Sequence, residues 1–422
     1  MTAALATLLL LSAGAGPILT LDEAVAAARQ GQPTLRQARA ATAASEARVG
    51  EARAGFLPRL DANLGYSRLT SNSSISPIPD SWDSTGRWSA GVNASMTVWD
   101  FGGTMGRYRA ARETSNAQQA TERATTAQVL LNVRTAFFAA RARKDLVTVA
   151  NETLANQEAH LKQIQGFVEV GTRPEIDLAQ ARTDRANAEV NRIGASANYQ
   201  TAKAQLNQAM GIEASTDFDV ANDQLPAVAG EDGALETLFD EALKARPEVA
   251  ALESQQRAEE ALVTAARGGW FPSLGVQAGI SDTGRDIADG RSLTWNWSAG
   301  ATLNWNLFQG GLTSALVREA EAGLETVKAQ VASLRLQVRL ELEQARFAVS
   351  SARAKLVATG EALEASRERL RLAEGRYNAG SGSALEFSDA QLQVTLAGAQ
   401  QVGAEYELAS ARAQLLVSLG RN

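Results

Sequence analysis

Two periodicities alternate along the chain. Val133, Ala140, Val147, Leu154, Leu161 and Val168 recur every seven residues, and so do Leu342, Val349, Leu356, Leu363, Leu370 and Tyr377. A seven-residue apolar stripe sustained this long predicts a helix packed lengthwise on neighbouring helices. No proline interrupts residues 103–166 or 311–375. Each stripe can therefore run as one helix of roughly 60 residues, about 90 Å at 1.5 Å per residue. The stripe alone would equally fit a simple coiled-coil rod.

The second periodicity is two. Leu60, Ala62, Leu64 and Tyr66 alternate with Asp61, Asn63, Gly65 and Ser67, and Ala90 to Val98 alternate in the same way. Leu274 to Ser281 and Trp295 to Leu307 repeat the pattern. Four strands follow, over 60–70, 87–99, 274–282 and 293–308, each with one apolar face and one small, mostly uncharged polar face. The Ser-, Asp- and Gly-rich segments 71–86 and 282–293 between paired strands read as exposed loops. A soluble sandwich would also alternate, but its outer face would be rich in Lys and Glu. All seven Trp fall within 82–99 or 270–305, in and beside the strands. That distribution fits the aromatic girdles of an outer-membrane barrel, with Trp88, Trp99, Trp295, Trp297 and Trp305 as candidates. Four strands cannot close a barrel, and an open edge in lipid leaves unpaired backbone groups at several kcal/mol each. A membrane sheet of this size must be shared between chains.

The chain is internally duplicated. Gly55-Phe56-Leu57-Pro58 returns as Gly269-Trp270-Phe271-Pro272, and Trp88-Ser89-Ala90-Gly91 as Trp297-Ser298-Ala299-Gly300. Gly166 to Gly211 matches Gly375 to Gly420 without a gap, at an offset of 209. The expected organisation is an export signal over 1–15, a first repeat over 16–211, a linker over 212–234 and a second repeat over 235–422. Leu8 to Leu11 supply the short apolar core of the signal and Ala13-Gly14-Ala15 its cleavage site.

Composition narrows the chemistry. There is no Cys, so thiolate metal sites, disulfides and a lipidated N-terminal Cys are excluded. The 41 basic and 47 acidic residues give a net charge of −6 with no basic block, which argues against nucleic acid as a partner. The single histidine, His160, reads as a solvated helix residue, and no metal site or cofactor is implied. Gly102-Gly103 and Gly310-Gly311 lack the Lys-Ser or Lys-Thr of a phosphate loop and read as strand-to-helix turns. No acid/base or nucleophile constellation is visible, so an enzyme is not expected.

Several features together resemble the TolC family of outer-membrane efflux ducts. They are Leu19-Thr20-Leu21-Asp22-Glu23-Ala24, Phe56-Leu57-Pro58 with Trp270-Phe271-Pro272, and Asp100-Phe101-Gly102-Gly103 with Phe308-Gln309-Gly310-Gly311. The paired hairpins Val170 to Asp177 and Tyr377 to Glu386 complete the set. The resemblance spans about 19–420 and implies an α+β membrane protein. It implies a homotrimer whose twelve-stranded outer-membrane β-barrel, four strands per chain, contacts outer-membrane lipid and continues as a long periplasmic α-helical barrel. It also implies a periplasmic adaptor (membrane fusion protein) and an inner-membrane pump as partners, with passage of drugs, metal ions or secreted proteins outward. The rival reading is a soluble periplasmic coiled-coil adaptor or structural protein, which would not need four neutral-faced strands.

The resemblance also places functional residues. The hairpin tips Gly171, Thr172 and Arg173, and Gly380, Ser381 and Gly382, would dock the adaptor. Glu386 and Asp389, with Asp177, would form an acidic ring at the periplasmic entrance. Relatives carry an Arg after Gly-Thr in the second hairpin; this chain has Gly382 there and keeps Arg173 in the first, so a closing bond from the second hairpin is not expected. Ser383 to Glu386 and Thr172 to Glu175 also read as helix capping boxes, which explain an acid at Glu386 without any channel. Capping does not explain Asp389, whose counterpart in the first repeat is Gln180.

Overall fold

The computed structural model describes residues 17–71, 83–287 and 290–421. The expected export signal, and most of the expected loop 71–86, lie outside the described residues. In chain order the elements are β1 (Ile18–Leu19), α1 (Leu21–Gly31), α2 (Pro33–Ala54), β2 (Arg59–Ser71), β3 (Asp83–Trp99), α3 (Gly103–Glu169) and α4 (Glu175–Met210). There follow β4 (Asp219–Val220), α5 (Leu235–Ala245), α6 (Pro247–Gly268), β5 (Ser273–Ile287), β6 (Gly290–Asn304), α7 (Leu312–Asn378) and α8 (Ala384–Ser418). The two long helices, α3 and α7, each have 67 residues, about 100 Å of helix. None of the described helices is long and apolar enough to cross a membrane.

The chain divides into two compact units, and each draws on both sequence repeats. One holds residues through Arg39, Thr121–Val249 and the chain from Leu334 onward; the other holds Ala40–Ala120 and Ala250–Ser333. In the first unit α1 begins on a capping box in which Thr20 and Glu23 satisfy each other's backbone N–H. Ala24 and Ala28 of α1 pack on Val133, Phe137 and Phe138 of α3 and Leu206 and Met210 of α4. β1 and β4 pair as a short parallel ladder beside them. A second core joins Leu342 and Val349 of α7 to Leu408 and Leu415 of α8, with Val228 and Leu238 from the linker and α5. The predicted stripe thus faces inward on α7, where Leu342, Val349, Leu363 and Tyr377 are all buried.

The second unit carries a four-stranded antiparallel sheet in the order β2-β3-β5-β6. Its register lines up the predicted faces. Ala62, Val92, Ile280 and Trp297 form one row, and Leu60, Ala94, Ala278 and Ala299 another. The opposite face carries rows such as Asn63, Gly91, Ser281 and Asn296. Four boundaries differ from expectation by more than one residue. β5 runs on to Ile287 and β6 begins at Gly290, so most of 282–293 is strand rather than loop. β3 begins at Asp83, before the expected 87. β6 ends at Asn304 instead of 308, where Trp305 turns its Nε1–H to the Trp270 carbonyl at 3.1 Å. The register also shifts between Thr97 and Trp99, placing Trp99 opposite Leu274 on the apolar face. Without that bulge Trp99 would fall on the polar side.

The strand-to-helix turns are as the glycine pairs suggest. Asp100 accepts from the N–H and hydroxyl of Thr104, both at 2.6 Å, capping α3. Gly102, Gly310 and Gly311 take positive φ, which a side chain disfavours.

Candidate functional site

The two helical hairpins end in matching turns. α3 closes at Gly171 (φ 74) and α7 at Gly380 (φ 75). Gly171 N–H donates to Val168 O, and Thr172 N–H and hydroxyl both donate to Phe167 O. Gly380 N–H donates to Tyr377 O, while Ser381 N–H and hydroxyl donate to Arg376 O. Both are Schellman-type ends, with the left-handed glycine freeing the chain to reverse. The second tip is tighter. A Cβ on Gly382 would lie 3.0 Å from Tyr377 N and 3.1 Å from Arg376 C, so a side chain here fits only if the turn gives slightly.

The two expected capping boxes differ. Ser383 accepts from Glu386 N–H at 3.1 Å, but the Glu386 carboxylate turns to the Arg376 guanidinium at 2.9 Å. Thr172 is no cap of α4 at all: its hydroxyl is held by the end of α3, and Pro174 is the residue at the start of α4.

The three candidate ring carboxylates are not equivalent. Glu386 is bound to Arg376, and Asp177 lies 3.9 Å from Arg173. Asp389 is exposed on α8, and no ion pair joins it among the described residues. Arg173, from the first tip, lies with its guanidinium 4.6 Å from the centroid of the Tyr377 ring on α7. The side chain that fastens the hairpins together therefore comes from the first repeat.

His160 is the clear departure from the expectation of a solvated residue. It is 6% exposed and sits against Phe387 and Tyr377, with ring centroids at 4.6 and 5.6 Å. The seven-residue stripe of α3 passes through Leu161; near the tip α3 buries a second face, His160 and Ile164. Burial lowers the His160 pKa, with Asp184 and Asp177 opposing. Nothing in the stripe could have flagged it, because the second face is created by α4, α7 and α8 arriving together.

The tryptophans collect in two clusters along the sheet. Toward one end, the Tyr66 and Trp88 rings meet at 4.7 Å, tilted to each other, in neighbouring strands, and Trp295 and Trp297 stand 70% and 71% exposed. At the other end Trp99, Phe101 and Phe271 form a ring series, with centroids at 5.9 and 4.8 Å. Trp305 lies at that end too, bonded to Trp270.

Residues 24–212 and 238–421 match the outer membrane efflux protein family. The chain belongs to that family. It is 24% identical over 410 residues to the outer membrane efflux protein BepC of Brucella suis, covering 95% of this chain and 85% of BepC. It is 27% identical over 390 residues to the pyoverdine export outer membrane protein OpmQ of Pseudomonas aeruginosa, covering 88% and 80%. Among solved structures, a membrane protein from Pseudomonas aeruginosa superposes with a TM-score of 0.83 at 22% identity, covering 94% of this chain and 92% of that one. The Campylobacter jejuni CmeC outer membrane channel gives 0.82 at 18% identity, covering 95% and 85%. The fold is that of the TolC-like outer-membrane channels. This efflux protein resides in the outer membrane and reaches through the periplasm, and its function is outward transport.

Proposed function

We propose that the protein is the exit duct of a tripartite efflux or secretion assembly, working as a homotrimer with a periplasmic adaptor and an inner-membrane pump, and catalysing no reaction itself. The observation that carries the trimer is the open sheet. Within the described chain β2 pairs only with β3, and β6 only with β5. Both edges must find partners in lipid. Three copies give twelve strands, a number within the range of outer-membrane barrels.

The aromatic clusters support a span of the right height. Trp88 and Trp99 are eleven residues apart on β3, about 36 Å along the strand at 3.3 Å per residue. At a tilt near 40° this is a height of about 28 Å, close to the apolar band of about 25 Å in such barrels. Trp88, Trp295 and Trp297 then mark one interface and Trp99 and Trp305 the other. The apolar rows face lipid and the neutral polar rows line the passage.

The tips carry adaptor docking in this reading. A Cβ placed on Gly171 or Gly380 would meet nothing within 4 Å, so their turns present backbone and small side chains to an incoming surface. The relatives TtgC and OpmQ are described as belonging to a toluene efflux pump and to pyoverdine export; which cargo this chain passes is a separate matter. The test is export by cells carrying Gly171→Val and Gly380→Val, with the trimer monitored in the membrane. Loss of export with an intact trimer is expected. Normal export by both variants would remove the tips from docking.

A further inference from the structure

Over residues 153–163 of α3 the seam between the two hairpins is polar, and it is aromatic at its end. Thr153 shares a hydrogen bond with Thr395 at 3.0 Å, Gln157 donates to Gln391 at 2.8 Å and Gln163 to Asn378 at 2.7 Å. An open cavity of about 500 Å³ runs beside the first two pairs. Such a seam can part without exposing much apolar surface. It ends in one buried cluster, with Ile164 from α3, Ala181 from α4, Tyr377 from α7 and Phe387 from α8. His160 lies against its Phe387 and Tyr377 rings. Its Nδ1 and the Tyr377 hydroxyl are both buried without a hydrogen-bond partner.

A neutral imidazole is tolerable there; an imidazolium is not. Protonation makes both ring nitrogens donors, and Nδ1 has nothing to donate to. A buried N–H of a charged ring that finds no acceptor disfavours the charged form. On the Tyr377 ring the place of a cation is already taken by Arg173 at 4.6 Å, which would repel a second cation there. The other charged groups around the cluster are few. From α4 come Asp177, shared with Arg173, and Asp184. From α7 and α8 come Arg376 and Glu386, engaged with each other. On α3 itself Glu158 pairs with Arg185 of α4, and Lys162 is exposed.

We propose that His160 is a proton-operated latch of the periplasmic entrance. Neutral, it holds the four helices together through Tyr377 and Phe387; protonated, it lets them part and the duct opens. This rests on the exit-duct reading.

The sign follows from linkage. In the parted state His160 meets water and has its ordinary value, near 6.5. In the latched state burial lowers that value, against the pull of Asp184 and Asp177. The latch is therefore at full strength above about pH 6.5. It weakens as pH falls below that, until the depressed value of the latched state is reached. Across this window the ratio of open to closed rises by up to about tenfold per pH unit for each histidine.

The experiment is single-channel recording of the full-length protein in planar bilayers between pH 7.5 and 5, beside His160→Gln and His160→Phe. The wild type should show a greater open fraction at pH 5.5 than at 7, by up to about tenfold for each histidine, with both variants flat. A conducting wild type that ignores pH overturns the latch, and so does a His160→Gln protein with the same acid response. An assembly that inserts and passes no current at any pH overturns the duct, and the latch with it. Should the variants fail to assemble, amide exchange of the wild type, normalised for intrinsic rates, decides. Protection over 157–168 and 376–391 must fall below pH 6.5; unchanged protection overturns the proposal.

Discussion

The guanidinium of Arg173 lies 4.6 Å from the centre of the Tyr377 ring, fastening the turn of the first hairpin to the end of α7. Gly382, at the corresponding place in the second turn, has no side chain to reach back. A contact of this kind contributes about 0.5–2 kcal/mol. Arg173→Ala should raise the open-to-closed ratio of the duct at neutral pH by about two- to thirtyfold, with Arg173→Lys between. Open probability in a bilayer checks this; equal openness of wild type and Arg173→Ala would deny Arg173 a closing role.

The internal pairing of β3 with β5 predicts how one chain meets the next. By the repeat, β3 corresponds to β6 and β5 to β2, so β6 should pair antiparallel with β2 of the neighbour. Ala94 faces Ala278 across the internal pair; carried through the repeat, Leu303 should face Leu64 of the partner subunit. The chain has no Cys, so Leu303→Cys combined with Leu64→Cys gives a clean report. Oxidation should produce covalent dimers and trimers on a non-reducing gel. Leu303→Cys with Leu60→Cys, four residues out of register, should give far less. Equal yields from the two pairs would refute this register.

The ring carboxylates should separate. Glu386 is held by Arg376 at 2.9 Å, while Asp389 is exposed. A ring of carboxylates at a constriction favours cations, and a carboxylate already paired contributes less. Asp389→Asn should reduce cation preference, measured as reversal potential in a salt gradient, more than Glu386→Gln does. The reverse ranking would show that the Arg376 pairing is broken in the working channel.

Glu231 ties the linker to α7 and α8. It is buried, accepts from Val228 N–H at 3.1 Å and from Arg412 at 3.3 Å, and is bonded to Arg353. Burial works against its charge, but the bonds from Arg412 and Val228 outweigh burial and hold its pKa below the usual carboxylate value. The lowered value means that its stabilisation is present above about pH 4.5 and is lost as pH falls below that. Glu231→Gln should cost about 1–3 kcal/mol at pH 7. Melting of the two proteins in detergent should differ clearly at pH 7, and the gap should narrow as pH falls below about 4.5. A gap that does not narrow at any acid pH would mean that the charge is not what matters.

Much of this architecture is legible in the residues because its constraints are periodic. The alternation at Leu60 to Ser67 and Trp295 to Leu303 places strands and faces, and the register observed brings the apolar positions into common rows. What escapes is non-periodic. The bulge at Thr97 and Trp99 breaks parity by one residue and leaves no sign in composition. The end of β6 is decided by a tertiary bond from Trp305 to Trp270. Thr172 has a side chain suited to either helix end, and the chain reversal at Gly171 commits it to α3. His160 is buried by three other helices, two of them from the second repeat, and a single helix cannot announce such a face.

The duplication has a consequence for symmetry. A chain of half this length would bring two strands and one hairpin, and six identical copies would be needed to reach twelve strands. In such a ring every tip would be alike. Fusing two copies into one chain keeps the sixfold plan but requires only threefold identity, so alternate tips are free to diverge. Val168 has Tyr377 as its counterpart, Arg173 has Gly382 and Gln180 has Asp389. The stack of Arg173 on Tyr377 joins one position from each copy. Where the two copies have parted ways, the hairpin tips have gained an asymmetric clasp that six identical subunits, each carrying the same residue at each place, would have had to build without that division of labour.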